Sequence, residues 1–263
     1  GELTWRAPAV ELEGADPREL RRRAEAALAA GHLYEDADAA IPIYLALSTL
    51  PEHARPAAGG LQRALRQLLA DGRAAIEAAD GDAPAELARA RQLAAVARTV
   101  DATDAAVVRF LERLDLAERV HALADAGDRA LAEGHLGEAG GGALAAFRQA
   151  LELQPENARA LQGLAAVESA LIRRAELAAE AGDFDIAEAW LSHAGTVRPE
   201  TGLETVDDAR ERVERMRATR IARLRDLGIA ALPRFGGIDV ARRHLAQLLR
   251  IARPGDPAAA ELR

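Results

Sequence analysis

Apolar residues recur along this chain at helical spacing, in stretches that glycine and proline interrupt. After Asp16 and Pro17, for example, Leu20 and Ala24 fall on one face of a helix that Gly31 would end. Long and short stretches of this kind alternate, which predicts pairs of packed helices joined by turns. The predicted helices are 16–31 with 40–50, 56–79 with 84–99, 104–132 with 142–154, 158–181 with 184–198, and 203–229 with 238–252.

Particular residues mark the predicted helix boundaries. Asp16, with Pro17 next and Glu19 three residues on, predicts an N-cap and a capping box. Asp256 and Pro257 repeat this pattern, so a further helix is predicted to begin at 256. Residues 1–15 have no helical period and predict an extended N-terminal arm. Glycines that would end the first helix of each pair recur roughly every 50 residues, at Gly31, Gly81, Gly134, Gly182 and Gly228.

An internal repeat connects two distant parts of the chain. GHLYEDADAAIPIYLALSTL from Gly31 matches GHLGEAGGGALAAFRQALEL from Gly134 without a gap, and the match continues to Leu61 and Leu164 with one slipped residue. Self-similarity at a fixed spacing indicates stacked helical units. We therefore predict an all-α, right-handed solenoid over residues 16–263, with five hairpins at about 16–51, 56–99, 104–154, 158–198 and 203–252.

Composition narrows the chemistry that this chain can perform. It contains no lysine and no cysteine, so all 34 basic residues are arginine. We interpret this as the mark of a GC-rich bacterial genome. Schiff-base lysines, phosphate-loop lysines, thiol nucleophiles and zinc–cysteine sites are therefore excluded. The net charge of −8 argues against nucleic-acid binding, although residues 198–263 hold 14 Arg against 10 Asp and Glu.

No catalytic, cofactor or metal site is predicted. The six histidines contain no i, i+4 pair with an intervening glutamate, and no serine lies in a G-x-S-x-G turn. The run Gly140–Gly142 lacks a lysine and a preceding strand, so we interpret it as loop filler rather than a phosphate-binding loop. No stretch of about 20 apolar residues exists, so no membrane insertion is predicted within these residues.

Two resemblances follow from particular segments. In FRQALELQPENARAL, Phe147, Ala150 and Pro155 fall at the spacing of the second helix of a tetratricopeptide repeat, which this segment resembles. The first helices are longer and lack the W-x-x-L-G-x-x-Y signature of that family. LYEDADAAIPIYLAL, LQGLAAVESALIRRAE and LLRIARPGDPAAAELR are similar to the helical N-terminal regions of bacterial formylglycine-generating-enzyme-like (sulfatase-modifying-factor) proteins. That resemblance implies an upstream membrane anchor and an enzyme-like domain downstream.

The expected function is a non-enzymatic protein-interaction or spacer module of a larger, envelope-associated bacterial protein. The resemblance implies a periplasmic or membrane-anchored location, through a segment upstream of Gly1. The alternatives are a regulatory or substrate-presenting domain that completes an enzyme-like site on the following domain, and a nucleic-acid binder. The expected partner is a protein or peptide, acidic in character, or the following domain of the same chain. Its candidate contacts are Arg173, Arg174, Arg210, Arg217 and Arg220.

Overall fold

The computed structural model describes residues 4–79, 84–137, 140–233 and 235–262, and across those ranges the chain is all-α, with no strand. Each predicted helix is present, and its ends differ from the predicted ones by at most three residues. The helices are α1 Pro17–Ala29, α2 Ala40–Ser48, α3 Ala54–Ala78, α4 Pro84–Asp101, α5 Ala105–Ala132, α6 Gly142–Leu153, α7 Ala158–Ala181, α8 Phe184–Gly195, α9 Leu203–Ala231, α10 Gly237–Ile251 and α11 Pro257–Leu262.

The predicted caps explain several of these ends. Asp16 is the N-cap of α1, where its side chain accepts a hydrogen bond from the Arg18 backbone N–H at 2.9 Å. Gly31, Gly134 and Gly182 have φ values of +76°, +76° and +93°, which an L side chain would strain. The predicted stop at Gly81 lies outside the described residues.

The assignment of Gly228 as a helix-ending glycine is wrong. Gly228 is buried inside α9, which continues to Ala231 before the chain turns. A single glycine costs a helix only about 1 kcal/mol relative to alanine, and the helix-forming residues on both sides of Gly228 outweigh that cost. The reversal instead uses Gly236, at φ +72°, and Gly237, where a Cβ would overlap the Ala231 carbonyl oxygen.

Contacts divide the chain into two compact units. The first comprises Gly1–Ala122 with Leu153–Arg159, and the second comprises Leu123–Glu152 with Ala160–Arg263. The single continuous repeat domain over 16–263 therefore stays a prediction.

The first unit buries a core under consecutive helices. Helices α1 to α4 pack in chain order, and their buried side chains include Leu20, Ile43, Leu68 and Val96. The N-terminal arm, which has no helix in residues 4–15, packs Trp5, Val10 and Leu12 against this core. The Thr99 hydroxyl holds the arm by donating to the Trp5 carbonyl at 3.1 Å.

The second unit is also built around buried apolar positions at helical spacing. Helix α9 packs against α8, α10 and α11. Leu171 on α7, Leu191 on α8 and Val213 on α9 are almost fully buried. Leu248 of α10 and Ile221 of α9 form a smaller cluster with Ala258 and Ala259 of α11.

The two segments that match in sequence share one pattern of backbone hydrogen bonds. We call residues 31–61 the first copy and residues 134–164 the second copy. In each copy the two residues after the helix-ending glycine accept hydrogen bonds from the start of the next helix. In the first copy the Ala40 N–H donates to His32 O at 3.0 Å and the Ile41 N–H to Leu33 O at 2.9 Å. In the second copy the Ala143 N–H donates to His135 O at 2.9 Å and the Leu144 N–H to Leu136 O at 3.1 Å.

The same ring-on-glycine contact holds each copy together. Tyr44 packs its ring on Gly60, and Phe147 packs its ring on Gly163, so closely that a Cβ on either glycine would overlap the ring. Tyr44 is 1% exposed and Phe147 is 0% exposed. These residues share the repeat spacing, which confirms that Tyr44 and Phe147 occupy matching buried positions.

Candidate partner-binding cleft

A cleft of about 820 Å³ lies in the second unit between α7, α9 and α10. Helix α7 contributes Ala179 and Glu180 from its last turns, and α10 contributes His244 and Gln247. Helix α9 supplies the remaining lining, which consists of Arg212, Arg215, Met216, Thr219, Arg220, Arg223, Leu224 and Leu227.

The spacing of these residues explains why they share one face of α9. Arg212, Met216, Arg220, Arg223 and Leu227 follow one another in steps of three or four, which keeps side chains on the same stripe of a helix. The arginines of α9 therefore lie on more than one face of the helix. One face carries four of the arginines into the cleft.

The four arginines of the lining differ in how firmly they are engaged. Arg212 holds Glu176 at 2.9 Å, whereas Arg215 lies 3.5 Å from Glu211 in a pair whose side chains are both exposed. Exposed pairs contribute little and exchange readily with water. Arg223 is exposed and has no ion pair or hydrogen bond within the described part of the chain.

Arg220 joins the cleft to the end of α7. Its Nη1 donates to the Glu180 carbonyl at 3.3 Å, and a Cβ on Gly182 would lie 3.0 Å from the Arg220 guanidinium carbon. Glycine at this position therefore gives the guanidinium room to cap the helix. Because the carbonyl is neutral, Arg220 retains its full positive charge at the cleft.

The rest of the lining is apolar or neutral. Met216, Leu224 and Leu227 present aliphatic surface beside the arginines. Opposite them, the Nδ1 atom of His244 is buried without a hydrogen-bond partner. The described lining contains one carboxylate, Glu180, and two of its four arginines pair with carboxylates just outside it, so Arg220 and Arg223 make the cleft cationic.

Of the five arginines predicted as contacts, Arg220 is the one that lines this cleft. Arg173 is exposed on α7, outside the lining. Arg174, which we expected on an exposed wall beside it, is half-buried and engaged within the protein. It donates to the Gly134 carbonyl at 2.6 Å and lies over the Trp190 ring at 5.0 Å from the centroid.

Arg210 and Arg217 are also engaged within the second unit. Arg210 reaches Asp207 at 2.8 Å and Glu188 at 3.3 Å. Arg217 is only 9% exposed, pairs with Glu214 at 3.3 Å, and lies over the Phe184 ring at 5.1 Å from the centroid. A partner could reach Arg217 only by disturbing this packing, and a partner contact there stays a prediction.

Arg217 instead lines a smaller cavity of about 320 Å³ on another face of α9. Arg225 and Arg253 line it too, together with Glu214 and Asp256. Arg253 contacts Glu214 at 2.7 Å, and Arg225 pairs with Asp226 at 2.9 Å. The carboxylates of the protein thus already balance these arginines, whereas in the cleft Arg220 and Arg223 have no carboxylate partner among the described residues.

The sequence places Arg212, Arg215 and Arg223 in the arginine series from Arg210 to Arg223, which we expect to offer partner contacts, but it does not single out these three as members of one site. A signal was present, because these arginines alternate with Met216, Leu224 and Leu227 at helical spacing. What the sequence could not supply was the opposite wall. His244 and Gln247 belong to the next helix, and no pattern within α9 predicts that they face it.

A second exposed apolar feature lies at the turn between α9 and α10. Leu232 and Ile238 are about half exposed, and Phe235 is fully exposed. The other phenylalanines, Phe110, Phe147 and Phe184, are buried.

Neither a metal centre nor a membrane span is found in the described residues. No group of three or more His, Cys, Asp or Glu side chains there could hold a metal ion. No helix in the same ranges is both long enough and apolar enough to cross a bilayer.

Comparison of the chain with protein-family models, with curated proteins and with solved structures finds no match. The resemblances to tetratricopeptide repeats and to the formylglycine-generating-enzyme-like family therefore stay predictions.

Proposed function

We propose that this chain is a non-enzymatic interaction module that binds an acidic segment of a protein in the cleft between α7, α9 and α10. The observation that carries the proposal is the lining itself, with four arginines and one carboxylate beside apolar side chains. A concave surface of one charge raises the local concentration of oppositely charged ligands. Apolar surface next to those charges adds affinity through burial.

The dimensions of the cleft suit an extended segment. Its lining on α9 runs from Arg212 to Leu227, which is about 22 Å along the helix axis at 1.5 Å per residue. An extended segment of about seven residues covers this length at roughly 3.3 Å per residue. The partner therefore needs only a short exposed stretch of chain.

The repeated hairpins support the wider architecture that we propose, a right-handed solenoid of tetratricopeptide-like helical pairs. Its support is the common loop and ring-on-glycine packing of the two copies. The long first helices of two successive pairs, α7 and α9, both line the cleft. The envelope-associated setting and the enzyme-like downstream domain stay predictions from the resemblance.

The test is fluorescence anisotropy with short labelled peptides on the whole chain. A glutamate-rich peptide of about ten residues should bind saturably, and its affinity should fall as salt rises from about 50 mM to about 500 mM. An arginine-rich peptide of the same length should not bind.

The charge-reversed variant Arg223→Glu should weaken binding of the acidic peptide at least about tenfold. Arg250→Glu is the matched control, because Arg250 is exposed on α10 and does not line the cleft. Equal losses in both variants, or no binding of the acidic peptide at low salt, would refute the proposal. Tighter binding of a single-stranded oligonucleotide would favour the nucleic-acid alternative.

A further inference from the structure

Charged and apolar side chains follow a definite order along the α9 face of the cleft. Arg223 has no partner in the described residues, and Arg220 lies one turn before it. Leu227 follows Arg223 by four residues, with Leu224 beside it, and Leu227 is nearly half exposed. A cationic position and an apolar position are thus adjacent on one helical stripe.

The distance between these two positions sets a register for the ligand. Four residues of helix advance about 6 Å along the axis. In an extended chain, alternate side chains point to the same side and are about 6.6 Å apart. A residue and its second neighbour on an extended ligand can therefore face Arg223 and Leu227 together, whereas directly adjacent residues point to opposite sides.

We infer that the cleft recognises an extended acidic segment in which a large apolar residue lies two positions from a glutamate or aspartate. The carboxylate binds Arg223, with Arg220 beside it, and the apolar side chain packs on Leu224 and Leu227. This inference rests on the proposed function and adds to it a ligand pattern, acidic–any–apolar, that charge alone does not require.

The two positions have different roles in this scheme. Arg223 can release its bound water and take a carboxylate without breaking a contact within the protein. Arg212 would first have to release Glu176, and Arg220 already donates to the Glu180 carbonyl. Affinity for any acidic segment therefore depends on Arg223, and discrimination between registers depends on Leu227.

The experiment compares three peptides of equal length and charge in a background of glycine and serine. The matched peptide has Glu-Ser-Leu at its centre, the shifted peptide has Glu-Leu-Ser, and the third replaces leucine by alanine. In anisotropy titrations on the full chain, the matched peptide should bind about tenfold more tightly than either other peptide.

Variants separate the two roles. Leu227→Ala should bring the matched peptide down to the affinity of the shifted one, while leaving the affinity of the shifted peptide unchanged. Arg223→Glu should weaken all three, and Arg250→Glu should weaken none. Because Leu227 and Arg223 are exposed, both variants should keep the helical circular dichroism and thermal midpoint of the parent.

Equal affinities of the matched and shifted peptides for the parent chain would overturn the register while leaving the acidic-segment proposal standing. Failure of all three peptides to bind would overturn the acidic–any–apolar pattern, and failure of the glutamate-rich peptide as well would overturn both. A preference for the matched peptide that survives Leu227→Ala would place the apolar contact elsewhere and overturn the assignment to Leu227.

Discussion

The first and second copies have the same backbone design but differ in the side chains that surround it. Both use a helix-ending glycine, two hydrogen bonds from the loop to the next helix, and an aromatic ring on a glycine. At the repeat spacing of 103 residues, however, Leu65 of α3 corresponds to Glu168 of α7. Both positions are buried, so one repeat position holds a hydrocarbon in one unit and a carboxylate in the other.

Glu168 is satisfied by a partner that the first unit does not have. Its two carboxylate oxygens accept hydrogen bonds from Arg198, at 2.7 Å from Nη2 and 3.1 Å from Nε. These bonds raise the pKa of Arg198 above its ordinary value. Gly202 allows this approach, since a Cβ there would overlap the carboxylate. The first unit has Leu65 at the position of Glu168 and so needs no such partner. The two copies thus share their backbone packing, whereas the polarity of the buried side chain at position 65 or 168 differs between the two units.

The largest expected effect comes from breaking this pair. Arg198→Ala should lower the free energy of unfolding by about 3 kcal/mol, because Glu168 is 1% exposed and would be left charged without a partner. Urea denaturation at neutral pH measures the loss. The double variant Glu168→Leu with Arg198→Ala, which places at 168 the leucine found at position 65 and removes the arginine together with the carboxylate, should recover most of it. A double variant as unstable as Arg198→Ala would show that the two positions are not equivalent.

The ring-on-glycine contact predicts the next largest effect, and it should appear in both copies. Gly60→Ala and Gly163→Ala each place a methyl group where the ring of Tyr44 or Phe147 lies. Displacing a buried ring in a packed core should cost about 2 kcal/mol at each site. Thermal denaturation of the two single variants checks this, with Gly59→Ala as the control, because a Cβ at Gly59 meets only the far end of Arg63. A loss at one site alone would mean that the same contact contributes different amounts of stability in the two copies.

The aromatic residue itself is the next difference between the copies. The Tyr44 hydroxyl is buried and has no hydrogen bond of good geometry, although the Arg63 guanidinium lies close to it, whereas Phe147 has no hydroxyl to satisfy. Phe147→Tyr should therefore cost about 1–2 kcal/mol, and Tyr44→Phe should be neutral or slightly stabilising. Chemical denaturation of the two exchanged variants at neutral pH tests the asymmetry, and equal and opposite changes would contradict it.

The Tyr44 hydroxyl also predicts that the free energy of unfolding depends on pH. Burial raises the pKa of Tyr44 above its ordinary value of 10.0, and nearby Arg63 offsets this in part. The folded state thus holds the phenol proton more tightly than the unfolded state does. The resulting stability is intact below about pH 10 and is lost as pH rises beyond it. Tyr44→Phe should reduce that alkaline loss, and a denaturation series across this range measures the difference.

Much of the fold could be predicted from the sequence because its signals are local. Caps such as Asp16, stops such as Gly134 and apolar spacing within one helix depend on neighbouring residues. Gly228 could not be assigned this way, since a buried glycine within a helix and a helix-ending glycine look alike in one sequence. The cleft was only half predictable for the same reason. The spacing of α9 groups Arg212, Arg220 and Arg223, but which arginines already have partners depends on contacts with other helices.

The smallest expected effect concerns the neighbouring arginines Arg173 and Arg174, which the sequence treats as one pair. Arg173 is exposed, so Arg173→Glu should change the free energy of unfolding by less than about 0.5 kcal/mol. Arg174→Glu should cost about 1 kcal/mol, because Arg174 caps the Gly134 carbonyl and covers Trp190. In the first unit the residue 103 positions earlier is Asp71, and it is Gln67 that approaches Gly31. This cap thus belongs to one unit, as the buried carboxylate does. Thermal denaturation of the two single variants separates the roles. Equal midpoints would mean that the contacts of Arg174 add no stability.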